Sequence, residues 1–297
     1  PVRVLENTLL GGGSTGTITL AATTLDDGVT LTLGTGIANT ISLSSITGTA
    51  DGSTSNLTIN TTGAVTVSST ISTDIGTVTI TNSGGTTFSG AVSAASLTIT
   101  STTANNTVTF GGNLTLTTGM TVSAGSAAYN VAINGGSNTI AGATTFANTG
   151  TVTLGNGSDT IAFTGGVVAT APTAITVNGT VSAAGTGVIT LGDSNTALTI
   201  GGTSTIGGTS TGTITTGAIN LNNNLTLGAG AATPISLTTV TGPLSGSANL
   251  TINTTGAVTV SGAIGTNVGT LTITNSGGTT FGSTVGATTV TLTDTTG

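Results

Sequence analysis

Two stretches of this chain carry nearly the same text. Residues 56–100 read NLTINTTGAVTVSSTISTDIGTVTITNSGGTTFSGAVSAASLTIT, and residues 249–293 read NLTINTTGAVTVSGAIGTNVGTLTITNSGGTTFGSTVGATTVTLT. The offset is 193 residues without a gap, and 31 of the 45 positions are identical. The match extends backwards: residues 31–43 (LTLGTGIANTISL) align with residues 225–237 (LTLGAGAATPISL) at an offset of 194. Long-period repetition is the mark of a stacked, quasi-one-dimensional architecture. It points away from a one-site enzyme, because a duplicated unit serves length or multivalency.

Within the repeat the dominant local pattern is alternation. Thr17-Ile18-Thr19-Leu20, Asn56-Leu57-Thr58-Ile59, Thr77-Val78-Thr79-Ile80, Ser96-Leu97-Thr98-Ile99, Thr151-Val152-Thr153-Leu154 and Val188-Ile189-Thr190-Leu191 are examples. Period two predicts strands with Leu, Ile and Val on one face and Thr on the other. We read the aliphatics as interior and the threonines as solvent-facing. Asn134-Gly135, Asn156-Gly157, Asn178-Gly179, Gly84-Gly85, Gly111-Gly112 and Gly165-Gly166 supply the positive-φ corners between strands. No helical periodicity is visible. Leu57, Val78 and Leu97 are 21 and then 19 residues apart. A recurrence of about 20 residues predicts an all-β parallel β-helix, in which each coil stacks on the last. About fifteen coils at about 4.8 Å each make a rod of roughly 70 Å. The alternative is an antiparallel sandwich of the same short strands. It is disfavoured because NLTI, TVTI and SLTI reappear at coil spacing and would stack on one another.

Composition narrows the chemistry. There is no His, no Cys and no Trp, and Arg3 is the only basic residue. No imidazole, thiolate or Schiff-base lysine is available, and no Ser–His–Asp or Ser–Lys nucleophile can be assembled. We therefore expect no enzyme and no cofactor. One base against a formal charge of −7 cannot neutralise a nucleic-acid backbone, and five Phe with one Tyr offer little stacking. Nucleic acid is not an expected partner. Apolar runs are too short to span a membrane as a helix, so no membrane insertion is expected. Charged residues are 3% of the chain, against about a quarter in ordinary globular domains. Small neutral residues with no lysine fit an exported protein at the cell surface or outside the cell. Pro1 in place of Met points to processing or to a piece of a longer protein.

Alternating Thr-aliphatic-Thr strands, Gly/Asn corners, near-absent charge and a long internal repeat together resemble bacterial surface β-solenoids. These are filamentous-haemagglutinin-type adhesins, autotransporter passengers and giant β-strand-repeat proteins. The resemblance covers the chain from about Gly16 onward. It implies a parallel β-helix with a non-enzymatic, extracellular structural role in a fibre, stalk or surface layer. Alternatives are an adhesin stalk or binding surface with a glycan or cell-surface attachment, and an ice-binding solenoid built on Thr-x-Thr arrays. Coil lengths drifting between about 17 and 23 residues argue against a lattice regular enough for ice.

Candidate sites are few. Asp26 and Asp27, followed by Gly28, form a carboxylate pair that could hold Ca²⁺ between coils. The corresponding turn of the second unit reads Asn222-Asn223-Asn224, and Asp74 is matched by Asn267. Turn chemistry is kept and charge is lost, so we expect a turn and no metal. Asp159 closes Gly155-Asn156-Gly157-Ser158-Asp159, close to a calcium-binding nonapeptide. Leu154 stands where the first Gly should be, and no tandem copy follows. Asn56, Asn60, Asn105, Asn113, Asn156, Asn178, Asn249 and Asn253 open N-x-Ser/Thr triplets.

Residues 1–14 are set apart as an N-terminal arm with a glycine joint at 11–14. The solenoid runs from 15 to 297, with a first long unit over 15–211 and a partial second over 212–297. The arm holds the only Arg and the only Glu. It is either a strand capping the first coil or an extended segment pairing with an adjacent subunit. Val2, Arg3, Val4, Leu5, Glu6, Leu9 and Leu10 are the candidate self-assembly residues. The partner expected is a second copy of the chain, joined head to tail in a homopolymer.

Overall fold

In the computed structural model, which describes residues 1–50 and 52–295, the alternating segments are short strands. Each pairs in parallel with a strand one coil further along the chain. Among the described residues the fold is all-β without helix, a parallel β-solenoid of about 13 coils of about 23 residues. Parallel pairing rules out the sandwich. The coils are longer and fewer than the repeat of about 20 and the total of about fifteen expected, because loops of variable length sit between the strands. Two units separate by contact density, Pro1–Ala141 with Ala147–Thr151 and Gly142–Phe146 with Val152–Gly297. This division does not fall at 211/212, where the text of the repeat turns over.

In the first unit, three sheets run side by side. One contains Val2–Val4, Thr23–Leu25, Ile46–Gly48 and Ile71–Ser72. The second contains Thr8–Leu10, Thr30–Leu33, Ser55–Asn60 and Ile75–Asn82. The third contains Ile18–Leu20, Ile41–Leu43, Val65–Val67, Thr86–Phe88 and Thr107–Phe110. The second unit repeats the scheme. Ser204–Gly208, Leu225–Leu227, Ala248–Asn253 and Val268–Asn275 form one of its sheets.

Alternation does what the sequence requires of it. Leu57, Ile59, Val78, Ile80, Leu97 and Ile99 are buried, stacked in register as Leu57, Val78, Leu97 and as Ile59, Ile80, Ile99. Thr58, Thr79 and Thr98 lie on the outer face, half-buried between one another. Each buried aliphatic contributes about 1.5–3 kcal/mol, and stacking like on like fills a narrow core without large side chains. Phe88 and Phe110 stack in parallel with ring centres 5.0 Å apart. In the second unit Phe146 and Phe163 meet edge to face at 6.1 Å.

Not every threonine faces water. Thr23, Thr61, Thr86, Thr102, Thr144, Thr216 and Thr254 are buried, against the simple inside–outside reading. The cause at Thr61 is a corner: its hydroxyl lies 2.7 Å from the Ile37 carbonyl and 2.6 Å from the Asn39 carbonyl. It also accepts the Gly63 N–H at 2.9 Å. Backbone groups turning through a corner leave the ladder and need such a partner.

Both copies build this corner alike. Thr254 Oγ1 reaches the Ala231 and Thr233 carbonyls and accepts from Gly256 N–H. Gly34 and Gly228 take φ values of +85° and +81°. A Cβ there would lie 2.3 Å from the Asn60 carbonyl oxygen or 2.2 Å from that of Asn253. The register shift after Ile80 against Ser55–Asn60 recurs after Ile252 against Val268–Asn275. The 193-residue period is not a whole number of coils of about 23. What repeats is the chemistry of strand and corner, not a count of complete turns.

Candidate functional site

The carboxylates come first, because they are the only charged groups besides Arg3 and the termini. Asp26 lies at the end of Thr23–Leu25, and the in-register pairing of Arg3 with Thr24 brings the guanidinium over it. Arg3 Nη2 and Nε donate to Asp26 Oδ1 at 2.5 and 3.0 Å. The pair is solvent-facing, with Arg3 63% and Asp26 29% exposed, so its net worth is about 0–1 kcal/mol. Asp26 is thus matched by a cation on the neighbouring coil. Asp159 folds back on its own turn, where Oδ2 accepts the Asn156 N–H at 2.7 Å. Among the described residues no three of His, Cys, Asp or Glu lie together as metal ligands would. The structure does not bring Asp159 into a group with Asp26 and Asp27.

Residues 1–10 form two of the three strands of the first coil, the third being Ile18–Leu20. Val2–Val4 pairs with Thr23–Leu25, and Thr8–Leu10 pairs with residues 31–33 of the same chain. Val4 is buried, whereas Val2, Leu5 and Leu9 are exposed. Arg3 makes the ion pair, Glu6 is exposed and Leu10 is half-buried. The asparagines of the triplets divide by structure. Asn56 and Asn249 accept the Thr77 and Thr270 N–H groups through Oδ1. Asn113 accepts from Ser137 N–H, and Asn178 Nδ2 donates to the Gly155 carbonyl. Asn60 and Asn253 are half-buried, Asn105 is exposed on a turn, and Asn156 is exposed within Thr151–Phe163. Asn105 is in the left-handed region at φ +62°. Tyr129 is buried and donates to the Ser123 carbonyl at 2.5 Å. Burial raises its pKa well above the ordinary phenol value.

The most regular surface is a rank of hydroxyls. In the first unit Thr32, Thr58, Thr79, Thr98 and Thr121 stand in register on five successive coils. The steps between them are 26, 21, 19 and 23 residues, yet the register holds, because the loops take up the difference. Beside them Thr30 pairs with Asn56 and Thr77 with Ser96, with a register shift between the two pairs, and the Thr77 and Ser96 hydroxyls bond one another at 2.9 Å. The Thr58, Thr79 and Thr98 hydroxyls have no protein hydrogen-bond partner and face solvent. In the second unit Thr205, Thr226, Thr251, Thr272 and Thr291 form the equivalent rank. Asn249 and Thr270 flank it as Asn56 and Thr77 do in the first. The sequence pattern showed these threonines as outward but not as continuous ranks, because register cannot be read through loops of unequal length. The ion pair was equally hidden, since Arg3 and Asp26 are 23 residues apart.

The arrangement holds no assembled acid–base or nucleophilic constellation among the described residues, and what it presents is a neutral, hydrogen-bonding, periodic surface. The chain matches no family model, no curated protein and no solved structure.

Proposed function

We propose that this chain is a non-enzymatic, extracellular structural element, of the kind found in bacterial surface β-solenoid proteins. It supplies length to a fibre, stalk or surface layer through end-to-end subunit contacts. One observation carries the reading. What the duplication maintains is stacking chemistry: the Thr61/Thr254 corners, the Asn56/Asn249 backbone bonds and the Gly34/Gly228 close approaches. Carboxylates are not maintained, as Asp74 against Asn267 illustrates. A chain under demand for a reactive site would keep its reactive groups; a chain under demand for coils keeps what stacks coils.

Strand edges recruit further strands, and a head-to-tail contact that does not close builds a filament. The exposed Val2, Leu5 and Leu9 on the first coil are the residues we assign to that contact. Sedimentation and electron microscopy over a concentration series test it. Filaments or end-to-end oligomers are expected, shortened by deletion of residues 1–10 while the β-rich circular dichroism persists. A chain that stays monomeric at high concentration, or polymerises unchanged after the deletion, overturns the assignment. Specific retention on host glycans by a monomer would instead favour an adhesin surface.

A further inference from the structure

We propose that the in-register threonine rank of each unit binds an ordered water lattice, that is, the surface of ice. Uneven coil lengths in the sequence argue against this, and the structure removes the objection. Thr32, Thr58, Thr79, Thr98 and Thr121 hold register across steps of 19 to 26 residues. Threonines along this rank therefore recur at the inter-strand distance of about 4.7–4.9 Å. The flanking positions, two residues away on each strand, are less even: the ladder shifts register between Ile75 and Val78, and the Thr77 and Ser96 hydroxyls bond one another at 2.9 Å. The periodic feature is the central row of hydroxyls at one spacing.

Chemistry then selects the occupant. Threonine presents a hydroxyl and a methyl on a stiff χ1, and cross-strand neighbours hold each side chain in place. A free hydroxyl bonds water about as well as a direct partner, and a methyl between hydroxyls excludes water from the interstice. No Asp, Glu, Arg or Lys stands in either rank. Ionic ligands thus find no counter-charge, and no aromatic side chain in the ranks offers a stacking platform for a sugar ring. A neutral ligand that is itself periodic and extended fits this row; solid water donates and accepts at every oxygen, and the neutral polysaccharide that shares this property is set against it in the test. The second unit carries the same row on Thr226, Thr251, Thr272 and Thr291. The inference needs no assembly and stands whether or not the chain forms filaments.

The test is partition of the intact chain into slowly grown ice, with retention on microcrystalline cellulose measured in parallel. The wild type should concentrate in the ice fraction, where a neutral dextran of similar size is excluded. A variant carrying Thr79→Lys, Thr98→Lys, Thr251→Lys and Thr272→Lys should lose the enrichment. Thr66→Lys with Thr87→Lys, on the third sheet, should keep it. Exclusion of the wild type from ice overturns the proposal, as does equal loss in the third-sheet control or retention on cellulose alone. If the lysine variant loses its β-rich spectrum, the same four positions changed to Ser keep the strands and remove the methyls. Undiminished ice partition by that variant also overturns the assignment.

Discussion

Removing one hydroxyl, by Thr61→Val, tests the corner chemistry directly. The substitution keeps the shape and adds a buried methyl in place of the oxygen. It removes a donor shared between the Ile37 and Asn39 carbonyls and the acceptor of the Gly63 N–H. Thr61 is fully buried, so water cannot replace it. Leaving an N–H and a carbonyl unpaired costs about 1–3 kcal/mol each. The added methyl returns up to about 0.8 kcal/mol. The expected net loss is about 1–5 kcal/mol, and Thr254→Val should lose as much in the second copy. Because each coil touches only its neighbours, the local readout is hydrogen exchange at the Gly63 amide. A loss of 2 kcal/mol lowers its protection roughly 30-fold. Thr58→Val, on a solvent-facing hydroxyl without a protein partner, should change stability by no more than about 0.5 kcal/mol. If Thr61→Val leaves Gly63 protection within about twofold of wild type, the corner hydroxyl does not hold the coil and the argument is wrong.

Ile80→Asp places a carboxylate between Ile59 and Ile99 with no cation in reach, at a cost of several kcal/mol. Urea denaturation should show it far less stable than Thr79→Asp one residue away, and equal losses would reverse the inward and outward faces. Gly34→Ala must shift a Cβ that would sit 2.3 Å from the Asn60 carbonyl oxygen at a positive φ. A melting temperature lowered by several degrees is expected, since about 1 kcal/mol or more is lost, whereas Gly12→Ala, with open space around it, should be nearly silent. Tyr129 stays protonated in the folded state beyond its unfolded value of 10.0, so its stabilisation is complete below pH 10 and declines as pH rises above it. The urea midpoint should show that decline, and Tyr129→Phe should lack it.

Much of the fold was legible because period two leaves little choice. The inward set Leu57, Ile59, Val78 and Ile80 follows from alternation alone, and parallel stacking follows from the recurrence of the motif. Coil length was less legible: Leu57, Val78 and Leu97 sit where the loops are shortest, and they bias the estimate low. Buried threonines such as Thr61 were illegible in principle, since one residue type serves both faces and only the corner geometry separates them; Thr86 differs, facing inward by alternation with Phe88. The signal that could have found Thr61 was its exact recurrence as Thr254 beside a recurring Gly. Glycine content at 11–14 gives no sign that the Thr35 hydroxyl donates to the Gly12 carbonyl or that Asn39 donates to those of Ser14 and Gly16.

The mismatch between the 193-residue period and the coil has a genetic consequence. A gene segment can be copied in tandem without respecting the boundary of a turn, provided that each copied strand finds an aliphatic row and a polar corner above and below it. Unequal recombination then lengthens the protein in fractional turns, and the breakpoint need not be selected for phase. Closed folds lack this freedom, because an insertion of arbitrary length must still return the chain to a fixed partner. Here any in-register strand will serve as the next template, so the length of the protein is free to drift while its cross-section is conserved.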